Sequence, residues 1–248
     1  MSDGIELIGV EGIGEVGQGS SIAELISANC SLRDGDVVCI SQKIVSKAEG
    51  RVRDLDAVEV SAEAEALAAR LDKDPAMVEL VLGESRRVVR AEHGVLITET
   101  NGGLICANAG IDASNVPGER SVALLPDDCD ASARRIRAEL AGLSGVQLAV
   151  LITDSFGRPW RLGQSEIAIG CAGLEPLDDW RGRSDSQGRE LAATAIATGD
   201  QIAAAADLAR DKVAGLPVVV ARGLGLQIGP DGPGAASMQR PEEDDLFR

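Results

Sequence analysis

An apolar run over residues 146–153 predicts a strand buried on both faces of a sheet, because a half-exposed strand would alternate apolar and polar residues. Asp154 follows this run directly, in a tract that contains glycine and small polar residues. A second tract, residues 108–115, presents Asp112 in the same way after the apolar residues 104–107. Hard divalent cations prefer oxygen ligands, and phosphate oxygens and water molecules fill the positions that protein carboxylates leave open. Two carboxylates at separate strand ends therefore indicate a magnesium–nucleotide site and an enzyme.

Periodicity and turn residues predict the other elements. The expected strands cover residues 5–10, 36–40, 95–100, 104–107 and 216–221, and the expected helices cover residues 21–29, 61–72, 74–83, 130–140 and 187–210. The expected N-caps are Ser21 (in a capping box with Glu24), Ser61, Asp74 (followed by Pro75) and Asp130. The pair Asn101-Gly102 lies between two extended segments and predicts a hairpin turn.

Hairpins mixed with helices favour an α+β fold, with mixed or antiparallel sheets and flanking helices, over a doubly wound parallel sheet. The chain contains no internal repeat and no stretch with the composition of a linker. We therefore expect one domain over residues 1–248, with a smaller lobe at about residues 110–180.

Composition excludes several classes of protein. The net charge of −16 makes nucleic acid a poor partner, because duplex binding needs clustered lysine and arginine. No apolar stretch reaches the about 18 residues of a membrane span, and the N-terminus does not resemble a secretory signal, so we expect a cytoplasmic protein. The five cysteines are scattered without a C-x-x-C pair, which argues against a disulfide framework or a zinc site.

The segment Gly12-Ile-Gly14-Glu-Val-Gly17 matches the G-x-G-x-x-G pattern of dinucleotide-binding proteins. In that fold the helix begins within the motif, whereas here it is expected only after Gly19. The segment also lacks the lysine of a P-loop. A flexible loop and a nucleotide-contacting loop of another kind remain as interpretations.

Other polar and aromatic residues have two interpretations each. Taken alone, Lys43 and Lys47 are interpreted as solvated surface charge, and His93, at a turn, as a surface residue. Phe156, Trp160 and Trp180 lie in a segment that also holds five arginines. These aromatic residues either fill a gap in the core or form a wall for a flat ring system.

Six separated tracts occur in the order found in one enzyme family. They cover residues 10–12, 45–50, 108–115, 153–158, 168–170 and 179–191. By these tracts the chain resembles the coenzyme F420-0:γ-glutamyl ligase family from about residue 5 to Gly223.

The resemblance implies an α+β fold and an intertwined homodimer. It implies that L-glutamate is added to coenzyme F420-0, first as an amide and then through γ-linkages. The implied co-substrate is GTP, the implied metals are two Mg²⁺ or Mn²⁺ ions, and the resemblance is also compatible with a K⁺ ion. We expect no fused nitroreductase-like domain of the kind that some relatives carry. An acyl phosphate would form on the acceptor carboxylate, and the amine of glutamate would then displace phosphate.

The resemblance also assigns site residues. Asp112 and Asp154 match the ligands of one metal ion, while Ser155 and Asp211 match the position of a second. The positions that match GTP contacts are Gly12, Ile13, Gly14, Glu15, Gln42, Lys43, Lys47 and Asn115. The loop 209–212 departs from the family pattern, because Asp211 stands where a longer glutamate is expected. A metal-dependent phosphate hydrolase and a non-catalytic binding module are the alternative functions, because the same carboxylates could activate water or bind a ligand only.

Overall fold

The computed structural model describes residues 4–114, 116, 118–210 and 215–245. The strands in this part are β1 (Glu6–Gly9), β2 (Val37–Ser41), β3 (Val52–Asp54), β4 (Ser85–Glu92), β5 (Val95–Thr100), β6 (Ile105–Ala107), β7 (Ser121–Ala123), β8 (Ala149–Arg158), β9 (Arg161–Ala172), β10 (Asp178–Asp179), β11 (Ala195–Ile196) and β12 (Val218–Arg222). The helices are α1 (Ile22–Asn29), α2 (Gln42–Ala48), α3 (Ala62–Leu71), α4 (Pro75–Gly83), α5 (Cys129–Ser144) and α6 (Thr198–Asp207). Among the described residues, no helix combines the length and the apolar character that a bilayer crossing requires.

A five-stranded sheet in the order β1-β12-β2-β8-β9 forms the centre of the molecule. β2 and β8 are parallel, and the other neighbouring pairs are antiparallel. Helices α1, α2 and α5 pack on one face of this sheet, and α6 packs on the other. Because both faces are covered, Val150 and Leu151 are fully buried, as the apolar run predicted. The expected α+β class with mixed and antiparallel sheets is confirmed.

A separate apolar cluster is formed by residues between Leu55 and Leu124, chiefly from α3 and α4. The small sheets β4-β5-β6 and β3-β7 belong to the same part of the chain. Residues 149–172, which fall within the expected lobe at 110–180, form β8 and β9 of the central sheet.

Three of the expected helix starts are confirmed. The Ser21 and Ser61 hydroxyls accept hydrogen bonds from the backbone N–H groups three residues later, both at 3.2 Å. Asp74 accepts from the N–H of Ala76 at 2.8 Å, and Pro75 is the first residue of α4. Each cap satisfies an N–H group that would otherwise have no partner at the helix start.

Two expectations for the helices are wrong. Asp128, not Asp130, caps α5 by accepting from the N–H of Ala131 at 2.8 Å. The side chain of Asp130 instead accepts from the N–H groups of Cys171 and Ala235, and so joins β9 to the C-terminal segment.

The alanine-rich segment 187–210 is helical only over Thr198–Asp207. Its first part pairs with the preceding segment, because Ala195–Ile196 pairs with Asp178–Asp179 and Leu191 donates to the carbonyl of Arg183 at 2.8 Å. Tertiary pairing therefore overrides the helix propensity of alanine.

Gly170 lies in β9, where that strand passes the first turn of α5. A β-carbon at this position would overlap the backbone carbonyl of Cys129. We expect Gly170→Ala to lower the free energy of unfolding by about 1–3 kcal/mol, because backbone atoms would have to move. Urea unfolding followed by circular dichroism measures the loss. Gly157→Ala, in β8 with no atom within 4 Å of the added carbon, is the matched control and should cost less than about 1 kcal/mol. Equal losses in the two variants would contradict the close contact.

Candidate active site

A cavity of about 970 Å³ lies where β2 and the buried part of β8 end. Its wall is formed by residues of the segments 11–16, 41–47, 112–116, 154–155 and 215–217, with Glu166, Asp207 and Arg210. The predicted site residues that line it are Gly12, Ile13, Gly14, Glu15, Gln42, Lys43, Lys47, Asp112, Asp154 and Ser155. The other two, Asn115 and Asp211, lie outside the described residues.

The parallel pairing of β2 and β8 brings the central part of the site together. Ser41 is paired with Thr153, so the residues that follow them lie side by side. After β2 these are Gln42 and Lys43 at the start of α2, and in β8 the next residue is Asp154, which continues the strand opposite Ile167 of β9. Residues remote in sequence therefore meet at one edge of the sheet.

Lys43 and Lys47 are not solvated surface charges, contrary to the interpretation made from their pattern alone. They lie four residues apart on α2 and therefore share a face. Lys47 is 8% exposed, and its Nζ is 2.7 Å from the carboxylate of Glu15. The Nζ of Lys43 is 2.8 Å from Asp112. The cavity thus holds two ammonium groups, each paired with a carboxylate of the wall.

Asp112 is held as an ionised carboxylate. Burial acts to raise its pKa, but hydrogen bonds from Lys43 and from Ser114 outweigh burial, and the pKa lies below its usual value. The N–H of Ser114 donates to the side chain at 2.7 Å. The backbone of Asp112 is paired in both directions with Ala123 of β7, which fixes its position.

Asp154 has the opposite electrostatic character. Burial, followed by the nearby charges of Glu166 and Asp112, raises the pKa of Asp154 to about 7, although the Ser155 N–H and Lys43 act against the shift. Burial and the neighbouring carboxylates thus both disfavour the charged form of Asp154. A bound divalent cation would favour the charged form, and the cavity offers the oxygen ligands that Mg²⁺ and Mn²⁺ prefer.

The residues present fit a cation that is shared with another ligand. Within the described part of the chain, no group of three or more histidine, cysteine, aspartate or glutamate side chains could hold a metal ion. Two carboxylates that leave the remaining positions to phosphate oxygens and water suit magnesium in a nucleotide site.

The glycine-rich segment is not a dinucleotide-binding motif, because α1 begins only at Ile22. Gly12 and Gly14 have φ values of +78° and +68°, which favour glycine. The backbone around them forms one wall of the cavity.

Glu166 and Arg210 are site residues that the sequence analysis missed. The side chains of both are 8% exposed, and they form an ion pair at 2.8 Å. Glu166 lies opposite Ser155 in the β8–β9 hairpin and accepts a hydrogen bond from its hydroxyl at 2.6 Å. A hairpin prediction across the turn at Pro159 could have placed Glu166 near Ser155, but nothing local marks Arg210.

The aromatic residues do not fill one gap in the core. Trp160 is 77% exposed at the turn of the hairpin, whereas Phe156 packs against the main core. Trp180 lies under the guanidinium of Arg183, whose carbon is 5.0 Å from the ring centroid. A ring-binding wall made of all three is therefore not formed within this chain.

His93 and the five cysteines do not line the cavity. His93 is exposed at a turn, with a φ of +52°. All five cysteines are free, and burial raises the pKa of both Cys39 and Cys106 to about 12, which disfavours a nucleophilic thiolate.

Comparison with known proteins agrees with the resemblance. The model of the F420-0:γ-glutamyl ligase family matches residues 12–223. The coenzyme F420:L-glutamate ligase of Methanothermobacter thermautotrophicus is 44% identical over 99% of both chains. The enzyme of that name from Methanopyrus kandleri is 44% identical over 94% of both chains. The one from Methanocaldococcus jannaschii is 39% identical over 98% of this chain and 97% of the relative. With a family match over most of its length and relatives of this similarity, the chain belongs to the F420-0:γ-glutamyl ligase family.

Proposed function

We propose that the protein is a GTP- and metal-dependent ligase that joins L-glutamate to coenzyme F420-0 through an amide bond and then extends the γ-linked chain. One observation carries the proposal: Asp112 and Asp154, which are 42 residues apart in sequence, line the same cavity as Lys43, Lys47 and the glycine-rich segment. Family membership gives the reaction class, and the cavity offers the charges that a nucleoside triphosphate and its cation need.

Phosphoryl transfer depends on position and charge neutralisation more than on a protein nucleophile. The γ-phosphoryl group of GTP would pass to the acceptor carboxylate, and the amine of glutamate would then attack the acyl phosphate and release phosphate. Lys43 and Lys47 would exchange their present carboxylate partners for phosphate oxygens. This exchange is easiest at Lys47, because the side chain of its partner Glu15 is 69% exposed.

The metal would be held by residues from separate segments of the cavity wall. Asp112 and Asp154 would hold one Mg²⁺ or Mn²⁺ ion, and Ser155, with Asp211 of the loop 209–212, would contribute to a second. When bound, such ions neutralise phosphate oxygens and align the leaving group.

Exposed apolar residues support the proposed homodimer. Trp160 and Leu162, at the turn of the β8–β9 hairpin, are 77% and 97% exposed. Large apolar side chains exposed close to each other are typical of an interaction surface.

The direct test incubates the protein with F420-0, L-glutamate, GTP, MgCl₂ and KCl and analyses the products by mass spectrometry. We expect a product one glutamate heavier than the acceptor, followed by longer ones, and GTP consumption that requires both acceptor and glutamate. GTP loss without either substrate would indicate the hydrolase alternative. Binding of GTP without any turnover would indicate a binding module.

A further inference from the structure

Glu166 is committed to two donors inside the cavity wall. One carboxylate oxygen accepts the Ser155 hydroxyl at 2.6 Å, and the other accepts Nη1 of Arg210 at 2.8 Å. Arg210 is itself held, because Nη1 also donates to Thr153 Oγ1 at 2.8 Å and Nη2 donates to the carbonyl of Cys39 at 3.3 Å. The guanidinium is thus fixed by β2 and β8, and it fixes the carboxylate of β9.

This arrangement determines the orientation of the Ser155 hydroxyl. A serine hydroxyl has one proton to donate and two lone pairs to offer. An ionised carboxylate can only accept, so the proton of Ser155 is directed to Glu166. The lone pairs are then left for a ligand in the cavity.

We propose that Glu166, held by Arg210, is a positioning residue that orients the Ser155 hydroxyl so that its oxygen is presented to a divalent cation. The inference rests on the proposed metal site and deepens it. Partners that orient a metal ligand commonly change metal affinity by about 10- to 100-fold when they are removed. In this proposal Glu166 acts through Ser155 and Arg210, each of which donates to one of its carboxylate oxygens.

Glu166→Gln tests the orientation directly. Arg210 can only donate, so the amide oxygen of Gln must face Arg210 and the amide NH₂ must face Ser155. The NH₂ group then occupies a lone pair of Ser155 and turns the hydroxyl proton towards the cavity. We expect Mn²⁺ binding to weaken about tenfold, measured by titration of the free Mn²⁺ signal in electron paramagnetic resonance.

The charge of Glu166 also acts on the cation, and a double-mutant cycle separates this effect from orientation. Loss of charge weakens Mn²⁺ binding whether or not residue 155 carries a hydroxyl. Loss of orientation has an effect only when the hydroxyl is present. We therefore expect Glu166→Gln to cost about tenfold in the wild-type background but less than about threefold in the Ser155→Ala background.

Two control variants and one substitute variant complete the design. Ser155→Thr keeps the hydroxyl and should stay within about threefold of wild type. Glu84 forms an ion pair with Arg51 at a distance of 2.6 Å, and neither residue lines this cavity. Glu84→Gln therefore reports the effect of losing an ion pair alone and should leave the Mn²⁺ affinity unchanged. Should Glu166→Gln fail to fold, Glu166→Asp keeps the charge but shortens the side chain, and the same cycle applies to it.

The outcomes are distinct. Equal losses from Glu166→Gln in both backgrounds, or none in either, would overturn the positioning role while leaving the metal site intact. A wild-type protein that takes up no Mn²⁺ would overturn the proposed metal site and this inference with it. Mn²⁺ binding that is unaffected by Ser155→Ala would overturn this inference, whereas Mn²⁺ binding that is unaffected by Asp112→Asn and Asp154→Asn would overturn the proposed site of the other ion.

Discussion

Asp154→Asn is expected to lower kcat/KM for the ligation at least about hundredfold, which corresponds to about 2.7 kcal/mol or more of transition-state stabilisation. The amide keeps the shape of the side chain but removes the charge that would hold the cation. Product formation from F420-0, glutamate and GTP at saturating Mg²⁺ measures the loss. Asp56→Asn, which removes a carboxylate from a surface ion pair with Arg120, is the control and should retain activity.

The same substitution should stabilise the metal-free protein at high pH. The pKa of Asp154 is about 7 in the folded protein, against an ordinary value of 3.8. The folded state therefore binds more protons than the unfolded state between these values, and the wild-type protein loses stability as the pH rises through this window. The asparagine side chain of the variant does not titrate. Melting curves in EDTA should show little difference between the variant and wild type at about pH 4 and a higher melting temperature for the variant at about pH 8.

The two readouts of Asp154→Asn are independent. Turnover close to wild type would contradict the role of the carboxylate in catalysis. A melting temperature of the variant below that of wild type at about pH 8 would show that the charged carboxylate is stabilised within the metal-free fold, contrary to the raised pKa.

Arg210→Met is expected to lower the free energy of unfolding by about 3–5 kcal/mol, because it leaves Glu166 as a buried charge without its partner. The side chain of Glu166 is 8% exposed, and the nearby carboxylate of Asp154 increases the cost of an unpaired charge. Methionine keeps much of the volume of the arginine stem, so the cavity term is small. Urea unfolding in EDTA, followed by circular dichroism, measures the change.

The double variant Arg210→Met with Glu166→Gln is the matched control. Removing both charges of a buried pair costs much less than removing one, so most of the lost stability should return. If the double variant were as unstable as Arg210→Met alone, the loss would have to come from the contacts of Arg210 with Thr153 and Cys39 rather than from the charge of Glu166.

The sequence predicted those parts of the fold that depend on local patterns. The apolar run in β8 and the caps of α1, α3 and α4 are recognisable from residues within one or two turns. The segment 187–197 was misassigned because its pairing with 178–185 depends on contacts that composition does not reveal. β9 was not recognised, although it forms the edge of the central sheet.

The site was predictable only in part for the same reason. Asp112 and Asp154 follow apolar runs of the sequence and could be singled out, and family resemblance added Lys43 and Lys47. The burial of these lysines is a tertiary property, since it requires partners from other segments of the chain. Arg210 carries no local signal at all, because its role depends on the three strands that it contacts.

The positions of the two tryptophans determine what intrinsic fluorescence can report. The chain has no tyrosine, and neither tryptophan lies in the buried core: Trp160 is largely exposed at the hairpin turn and Trp180 is half-buried beside Arg183. Emission should therefore change little in colour when the core melts. A blue shift of Trp160 on raising the protein concentration would instead report that the hairpin turn has been covered by another molecule.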